Sequence, residues 1–236
     1  MNQDFLSERL FEALTQGNRA EARQLVDQAH HELGSVQSVL TDILWPIHEQ
    51  VEKLFKTDQM TRLNYQLATR TLRQFIDALG AKLDRRPATG KSAVVFSGTT
   101  HGEEMGAQMA VDMLESAGFT VRFAGGGISN DEIIAHVHDV RPDALVLFSS
   151  SSSDLPNIRN LVDTLREING SPNTKVVVGG GVFNRARGLA EEMGIDMYVP
   201  DPLELAVAML GGERASKAAG LNFEQKPVKA RLRKAA

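Results

Sequence analysis

The sequence contains no cysteine, which excludes disulfide bonds and thiolate metal sites. It has no apolar run of membrane-spanning length, and its first residues, MNQDFLSERLFEAL, are acidic where a signal peptide is basic. Positive charge is not in excess either: the formal net charge is −4, so the chain as a whole has no general attraction for nucleic acid. We therefore predict a cytoplasmic protein without membrane association.

Several motifs of well-known enzyme classes are also absent. The sequence contains no GxxxxGK[ST], no HExxH and no GxSxG, and neither glycine run, 125–127 or 179–181, has the GxGxxG spacing of a dinucleotide site. Nothing in these patterns indicates a nucleotide hydrolase or a serine hydrolase.

The N-terminal part has the periodicity of helices. Apolar residues recur at helical spacing in four segments, the third running from about 36 to 54 with a kink predicted at Pro46, and the fourth starting near 59. His30, His31 and His48 fall within these segments and are interpreted as solvated or structural. Residues 1–86 are therefore predicted to form a four-helix bundle, or cap.

After a predicted linker at 84–91 the pattern changes to short apolar runs that alternate with helical segments. This alternation predicts an α/β domain over 92–210, with a doubly wound, five-stranded parallel sheet of the flavodoxin-like or Rossmann-like type. Residues 211–236 are basic and predicted to be disordered; only this tail is expected to be able to contact nucleic acid. The predicted strands are 93–96, 120–125, 144–148, 175–180 and 196–199, and the helical segments begin near Gly106, Asp131, Leu155, Arg185 and Pro202.

Three loops with small or polar residues leave the same edge of the predicted sheet. They are the loop around His101, the serine run 149–153 and the glycine run 179–181. Ligands of open α/β sheets bind beyond the carboxyl ends of the strands, so these loops are expected to form one pocket. Glycines allow close approach of a ligand to the backbone, which suits a flat or phosphate-bearing molecule.

The order of these features resembles the cobalamin-binding module of methionine synthase, of corrinoid methyltransferase proteins and of light-sensing cobalamin-dependent repressors. The resemblance covers about residues 5–210. It implies a helical cap over a corrin at the carboxyl edge of the sheet. The segments that carry it are AVDMLESAGFTVRFAGGGISNDEII, RPDALVLFSSSSSDL and VVVGGGVFNRARGLAEEMGIDMYVPD.

The cobalt-binding motif of that family is altered. Aligned without gaps on Gly106, the DxHxxG motif has His101 at the aspartate position and Glu103 at the histidine position. A carboxylate is a hard donor and matches cobalt poorly, so cobalamin is expected to bind without a protein histidine on the metal. His101 is the one candidate metal ligand, and it could reach the cobalt only if the loop follows a path different from that of the family.

Other family positions are changed to different degrees. The serine of the SxL motif corresponds to Ser149 or Ser151, without the leucine, and the GG motif is kept as Gly179 and Gly180. The tryptophan and Glu-His pair with which light sensors cover the corrin correspond to Phe55, Tyr65 and Gln66, and Trp45 is interpreted as core packing. The predicted ligand-binding residues are Thr99, Thr100, His101, Glu103, Gly106, Ser149, Ser151, Gly179, Gly180, Phe55, Tyr65 and Gln66.

The first functional hypothesis is a non-enzymatic sensor that acts through a protein partner, a transcriptional regulator. One alternative is a corrinoid carrier of a methyltransferase system, against which the lost histidine argues. The other is a module that holds haem, with His101 as axial ligand, or no ligand at all. A homo-oligomer is left open.

Overall fold

The computed structural model describes residues 3–186 and 188–211. The N-terminal part is helical, with a π-helical turn, Val39–Leu44, that joins two helices without a break. The helices are α1 (Gln3–Thr15), α2 (Arg19–Leu33), α3 (Val36–Ser38), α4 (Trp45–Lys56) and α5 (Arg62–Gly80).

The second part alternates strands and helices as predicted. The strands are β1 (Ser92–Ser97), β2 (Thr120–Gly125), β3 (Ala144–Phe148), β4 (Lys175–Gly179) and β5 (Met197–Val199). The helices are α6 (His101–Ser116), α7 (Asn130–Val140), α8 (Leu155–Ile168), α9 (Gly181–Arg185), α10 (Leu189–Glu192) and α11 (Pro202–Leu210), with a 3₁₀ turn at Ser152–Asp154.

The π-helical turn lies where the sequence predicts a disturbance at Pro46. Proline has no N–H, and in an α-helix its ring would clash with the carbonyl four residues earlier, that of Asp42. The wider turn relieves this clash, and the Trp45 N–H instead donates to Leu40 O. Gln3 Nε2 lies 3.5 Å from Asp42 O and donates a hydrogen bond to it. The disturbed turn is thus stabilised by the start of α1.

The sheet is entirely parallel, with the strand order β2-β1-β3-β4-β5. Ala93 and Val95 pack on one face of the sheet and Val94 and Phe96 on the other, as the period of two requires. Helices α6 and α11 cover the first face, and α7 and α8 cover the second. Both faces are buried, which is typical of parallel sheets and confirms the predicted α/β fold.

The helical part packs against α6. One hydrophobic core runs from α1 through α5 into α6, α11 and the sheet, so α6 lies between the cap and the strands. The division into domains at 1–86 and 92–210 stays a prediction, and residues 212–236 of the predicted tail lie outside the described residues. No helix in the described part of the chain is both long and apolar enough to cross a membrane.

Two predicted helix starts are wrong. Near Arg185, the structure has two short helices, and the first of them begins at Gly181. Helix α6 begins at His101 instead of Gly106, which changes the interpretation of the candidate site.

Candidate functional site

The early start of α6 results from a capping box. Thr100 is the N-cap, and its hydroxyl accepts a hydrogen bond from the Glu103 N–H at 3.3 Å. The Glu103 carboxylate in turn accepts from the Thr100 N–H at 3.2 Å and from the Thr100 hydroxyl at 2.7 Å. The spacing Thr-x-x-Glu is a recognised signal for a helix start. The sequence therefore contained the signal, but the small residues around Gly102 favoured a loop.

Glu103 also joins two loops of the sheet edge. Its side chain is buried, with 4% of the residue exposed, and Oε1 accepts a hydrogen bond from the Ser150 N–H at 2.6 Å. The carboxylate fits against Gly98, where a Cβ atom would lie 2.2 Å from Glu103 Oε2. The residue that the sequence alignment predicts at the ligand position therefore holds the β1 loop to the β3 loop.

The serine and glycine loops contact each other directly. The Ser149 N–H donates to Gly179 O at 3.1 Å, and the Ser149 hydroxyl donates to Asp154 Oδ2 at 2.8 Å. Gly180 has φ +100, and a Cβ atom there would lie 2.2 Å from Ser149 O. The backbone at this point thus requires glycine, and a bulky residue at Gly180 would disturb the fold itself. The three loops do come together, but a pocket shared by all three stays a prediction.

A small cavity of about 170 Å³ opens at the carboxyl ends of β1 and β3, where the strand order reverses. Thr99 and Ser149, two of the predicted site residues, line it. Its lining is partly apolar, with side chains such as Ile133 and Leu161, and its polar residues include Asn130, Asp154 and Asn157.

A larger groove of about 570 Å³ lies between the cap and the first turn of α6. We call it the cap groove. His101 is exposed and lines this groove, whereas Glu103, two residues later, is buried under the neighbouring loops. Sequence reasoning placed both residues in one pocket, and the helical first turn separates them.

The cap contacts the first turn of α6 through three side chains around Gly102. His48 Nε2 is 2.9 Å from Gly102 O, and the Tyr65 hydroxyl donates to Glu52 Oε1 at 2.7 Å. The Glu52 carboxylate fits against Gly102, where a Cβ atom would lie 2.0 Å from Oε1. Burial lowers the pKa of His48 and, together with the charge of Glu52, raises the pKa of Tyr65.

His48 and Glu52 were missed as site residues by the sequence reasoning. Trp45, His48 and Glu52 are spaced at three and four residues, so they share one face of α4, and this spacing was the available signal. What that face contacts depends on residues more than 50 positions away, such as Gly102. No local pattern reveals such a contact.

The predicted cap residues lie next to this contact. Phe55 stacks on Tyr65 with ring centroids 3.9 Å apart, Tyr65 is buried, and Gln66 is half-buried. Trp45 is a core residue, as predicted, and stacks on His48. Within residues 3–186 and 188–211, Trp45 Nε1 and His48 Nδ1 are buried without a hydrogen-bond partner. Buried polar atoms without a partner are uncommon and call for an explanation.

Comparison with known proteins identifies the family. Two family models, each described as a B12 binding domain, match residues 6–79 and residues 91–210. The chain belongs to the B12-binding domain family. The resemblance proposed from the sequence is thereby confirmed.

Named relatives of this B12-binding protein are corrinoid proteins. Dimethylamine corrinoid protein 1 of Methanosarcina acetivorans is 26% identical over 157 residues, which make up 66% of this chain and 73% of that protein. The dimethylamine corrinoid protein of Methanosarcina barkeri is 22% identical over 206 residues, or 86% of this chain and 95% of that protein. The solved structure of the Methanosarcina barkeri monomethylamine corrinoid protein has a TM-score of 0.76 at 17% identity, covering 88% of this chain and 98% of that one, and supports the fold.

The first functional hypothesis is therefore wrong. A sensor or photoreceptor acting through a transcriptional regulator finds no support, because these relatives are named as methylamine corrinoid proteins. The loss of the family's histidine was given too much weight against a corrinoid carrier.

The residues at the sheet edge and in the cap differ in their fit to a corrinoid, and the predicted ligand position does not fit as a metal ligand. The position of the family's ligand holds Glu103, an oxygen donor whose carboxylate already accepts hydrogen bonds from Thr100 and Ser150. The contact between cap and α6, in contrast, contains the unpartnered ring nitrogens of Trp45 and His48. Both side chains are buried, so these nitrogens could meet a corrinoid only where the cap parts from α6. The residues thus fit a corrin held by burial and polar contacts and not by a protein histidine at the predicted ligand position.

Proposed function

We propose that this protein is a corrinoid carrier of a methyltransferase system. The observation that carries the proposal is the match of two B12-binding models to the cap and to the sheet part, together with relatives named as corrinoid proteins. The partner is then a methyltransferase. When bound, a corrinoid supplies a cobalt that accepts a methyl group and passes it on. The relatives are named for particular methylamines, and the carrier role is proposed here without assigning a methyl donor.

The corrin is held between the cap and the carboxyl edge of the sheet. Phe55, Tyr65 and Gln66 would cover it from the cap, and the loops that contain Thr99, Ser149 and Gly179 would lie at the edge of the sheet. The direct contact of Glu52 and Tyr65 with the first turn of α6 would have to part to admit it. This arrangement rests on family position, on the burial of Tyr65 and on the half-burial of Phe55 and Gln66.

No protein imidazole binds the cobalt in this proposal. Glu103 stands at the predicted ligand position and is held by Thr100 and Ser150, so this loop would supply no imidazole to a bound corrinoid. The cytoplasmic location predicted from the sequence is part of the same proposal.

The visible absorption spectrum of protein purified from its native host tests the ligand. A corrinoid spectrum without the features of histidine ligation is expected. A haem spectrum that changes in His101→Ala, or a protein without a chromophore that also fails to take up added cobalamin, would contradict the proposal.

A variant that restores the family motif sharpens this test. His101→Asp combined with Glu103→His recreates DxHxxG, and reconstitution with cobalamin should then shift the absorption bands toward those of a histidine-ligated corrinoid. His101→Asp alone is the matched control and should leave the bands unchanged. Identical spectra of the double variant and the parent would mean that the loop cannot present a ligand even when one is available.

A further inference from the structure

The cap groove has the size of a small-molecule site. Its volume of about 570 Å³ falls within the roughly 300–1,000 Å³ that is typical of ligand pockets. Three elements build it: the turn between α1 and α2, the middle of α5, and the first turn of α6. Its polar lining includes Arg19, Arg70, Arg73, Gln74, His101 and Glu104.

The groove carries positive charge that is only partly neutralised. Arg73 pairs with Glu104 at 3.0 Å and with Asp77 at 3.6 Å. Arg19 donates to the Gln74 side chain at 2.6 Å, a neutral partner, so its charge remains. Arg70 is exposed and has no hydrogen bond or ion pair within the described ranges 3–186 and 188–211. Two guanidinium groups are therefore available in a chain whose net charge is −4.

Two helices also begin at this groove. Helix α2, of 15 residues, starts at Arg19, and α6, of 16 residues, starts at His101. Both first residues line the groove. The N-terminus of a helix has a partial positive charge and favours anions. Asn18 and Thr100 already cap these two helices and acidic residues stand in both first turns, so the helix ends add little and the attraction for an anion comes from the guanidinium groups.

The two remaining polar side chains of the groove, those of Thr69 and Thr71, use their hydroxyl protons within the protein. The hydroxyls of Thr69 and Thr71 donate to the carbonyl groups of Tyr65 and Leu67, at 2.8 and 3.1 Å. Recognition in the groove therefore depends on the arginines, whose planar, forked donors match phosphate oxygens in pairs.

We propose that the cap groove binds a phosphate group of a small molecule. Two sources have this chemistry: the phosphodiester of a cobalamin nucleotide loop, and a free nucleotide or pyrophosphate. The first source rests on the proposed corrinoid function. The second source is independent of that function.

The experiment compares the parent with the double variant Arg19→Gln/Arg70→Gln. The matched control is Arg122→Gln, which removes an exposed arginine of β2 that does not line the groove. Pyrophosphate and ATP are titrated calorimetrically into corrinoid-free protein. Cobalamin and cobinamide, which lacks the nucleotide and its phosphate, are compared by equilibrium dialysis. Thermal unfolding verifies that each variant is folded.

The double variant should lose roughly tenfold or more in affinity for one phosphate-bearing probe, since each guanidinium contributes a charge-assisted hydrogen bond. A loss for cobalamin but not for cobinamide assigns the phosphate to the corrinoid. A loss for pyrophosphate or ATP alone assigns it to a free ligand. In both cases Arg122→Gln should bind the probe with the affinity of the parent. The single variant Arg70→Lys keeps the positive charge but not the paired N–H donors of the guanidinium group, so it should lose less affinity than the single variant Arg70→Gln.

Unchanged affinity of the double variant for all phosphate-bearing probes would overturn the proposal, as would an equal loss in Arg122→Gln. A protein that takes up no corrinoid, but whose pyrophosphate binding depends on Arg19 and Arg70, would refute the carrier function and retain the phosphate site. The two proposals therefore fail in different experiments.

Discussion

Among the residues that the structure describes, three carboxylates are packed tightly against glycines, and their surroundings differ. Glu103 fits against Gly98 within the sheet part and accepts hydrogen bonds from two loops. Glu52 reaches from the cap to Gly102 and has the Tyr65 hydroxyl as donor. Asp112 of α6 lies against Gly80 at the end of α5, where a Cβ atom would be 2.2 Å from its Oδ2.

The difference lies in how many donors each carboxylate has. Within the described residues, Glu103 accepts from three groups, the Thr100 N–H, the Thr100 hydroxyl and the Ser150 N–H. Glu52 has two partners, the Tyr65 hydroxyl and the ammonium group of Lys56 at 3.3 Å, and Asp112 has one, the Gln108 amide. In the described part of the chain, Asp112 Oδ2 is buried without a partner. A buried carboxylate is stabilised by its donors, so the contact within the sheet part should be strong and the two contacts with the cap weaker.

The largest effect is expected for Glu103→Ala. The substitution leaves the part-buried N–H of Ser150 without its acceptor and removes the carboxylate half of the capping box of α6, so the free energy of unfolding should fall by about 3 kcal/mol. Chemical denaturation measures this. A loss below about 0.5 kcal/mol, the usual range of surface substitutions, would mean that Glu103 does not hold the loops together.

A smaller effect, with a different signature, is expected for Glu52→Ala. The Tyr65 hydroxyl loses its acceptor, which should cost about 1–2 kcal/mol, and the loss should fall on the contact between cap and α6. Hydrogen exchange should accelerate in α4 and in the first turn of α6 but not in β3. Equal acceleration in β3 would show that the cap and the sheet part open as one unit.

Asp112→Asn should stabilise the protein at neutral pH. Burial raises the pKa of Asp112 from 3.8 to about 6, because its charged form is poorly solvated. The folded state therefore binds the proton more tightly, so this contribution to stability is complete below pH 3.8 and is lost as the pH rises through 6. Asparagine keeps a neutral group at every pH, so the gain should be about 1 kcal/mol at pH 7, allowing for partial exposure.

The pH dependence of that gain provides its control. Thermal unfolding of Asp112→Asn and of the parent should give nearly equal melting temperatures at pH 4, a difference that grows between pH 4 and pH 6, and a constant difference above that range. A difference that is independent of pH would assign the effect to packing against Gly80 instead of to the charge.

The smallest effect is expected for His101→Ala. His101 is exposed in the first turn of α6, and its side chain forms no hydrogen bond or ion pair with the residues that the structure describes. The free energy of unfolding should change by less than about 0.5 kcal/mol, and cobalamin affinity should be little changed. Loss of cobalamin binding in a folded His101→Ala protein, together with a shift of the absorption bands, would make His101 a ligand of the metal and would contradict the proposal that no protein imidazole binds the cobalt.

Features that depend on neighbours in the sequence could be predicted here, and those that depend on distant residues could not. The strands 120–125 and 144–148 have the predicted bounds because short β-rich runs between turn residues are local signals. The capping box at Thr100 and Glu103 was equally local, but it was read as a loop. The bond between Glu103 and Ser150 spans 47 positions, and the contact of His48 with Gly102 spans 54, so neither has a local signature.

The π-helical turn at Val39–Leu44 determines which side of α4 meets the rest of the molecule. A π-turn contains one more residue than an α-turn, and each residue of an α-helix advances the chain by about 100°. Deleting one residue within this turn would make the helix a regular α-helix, but it would rotate α4 about its axis by about 100° relative to α3. Trp45, His48 and Glu52 would then face away from Gly102. The π-helical turn thus sets the rotation of α4 about its own axis. An insertion or deletion in this turn would change the contact with Gly102 although none of the residues that form the contact is replaced.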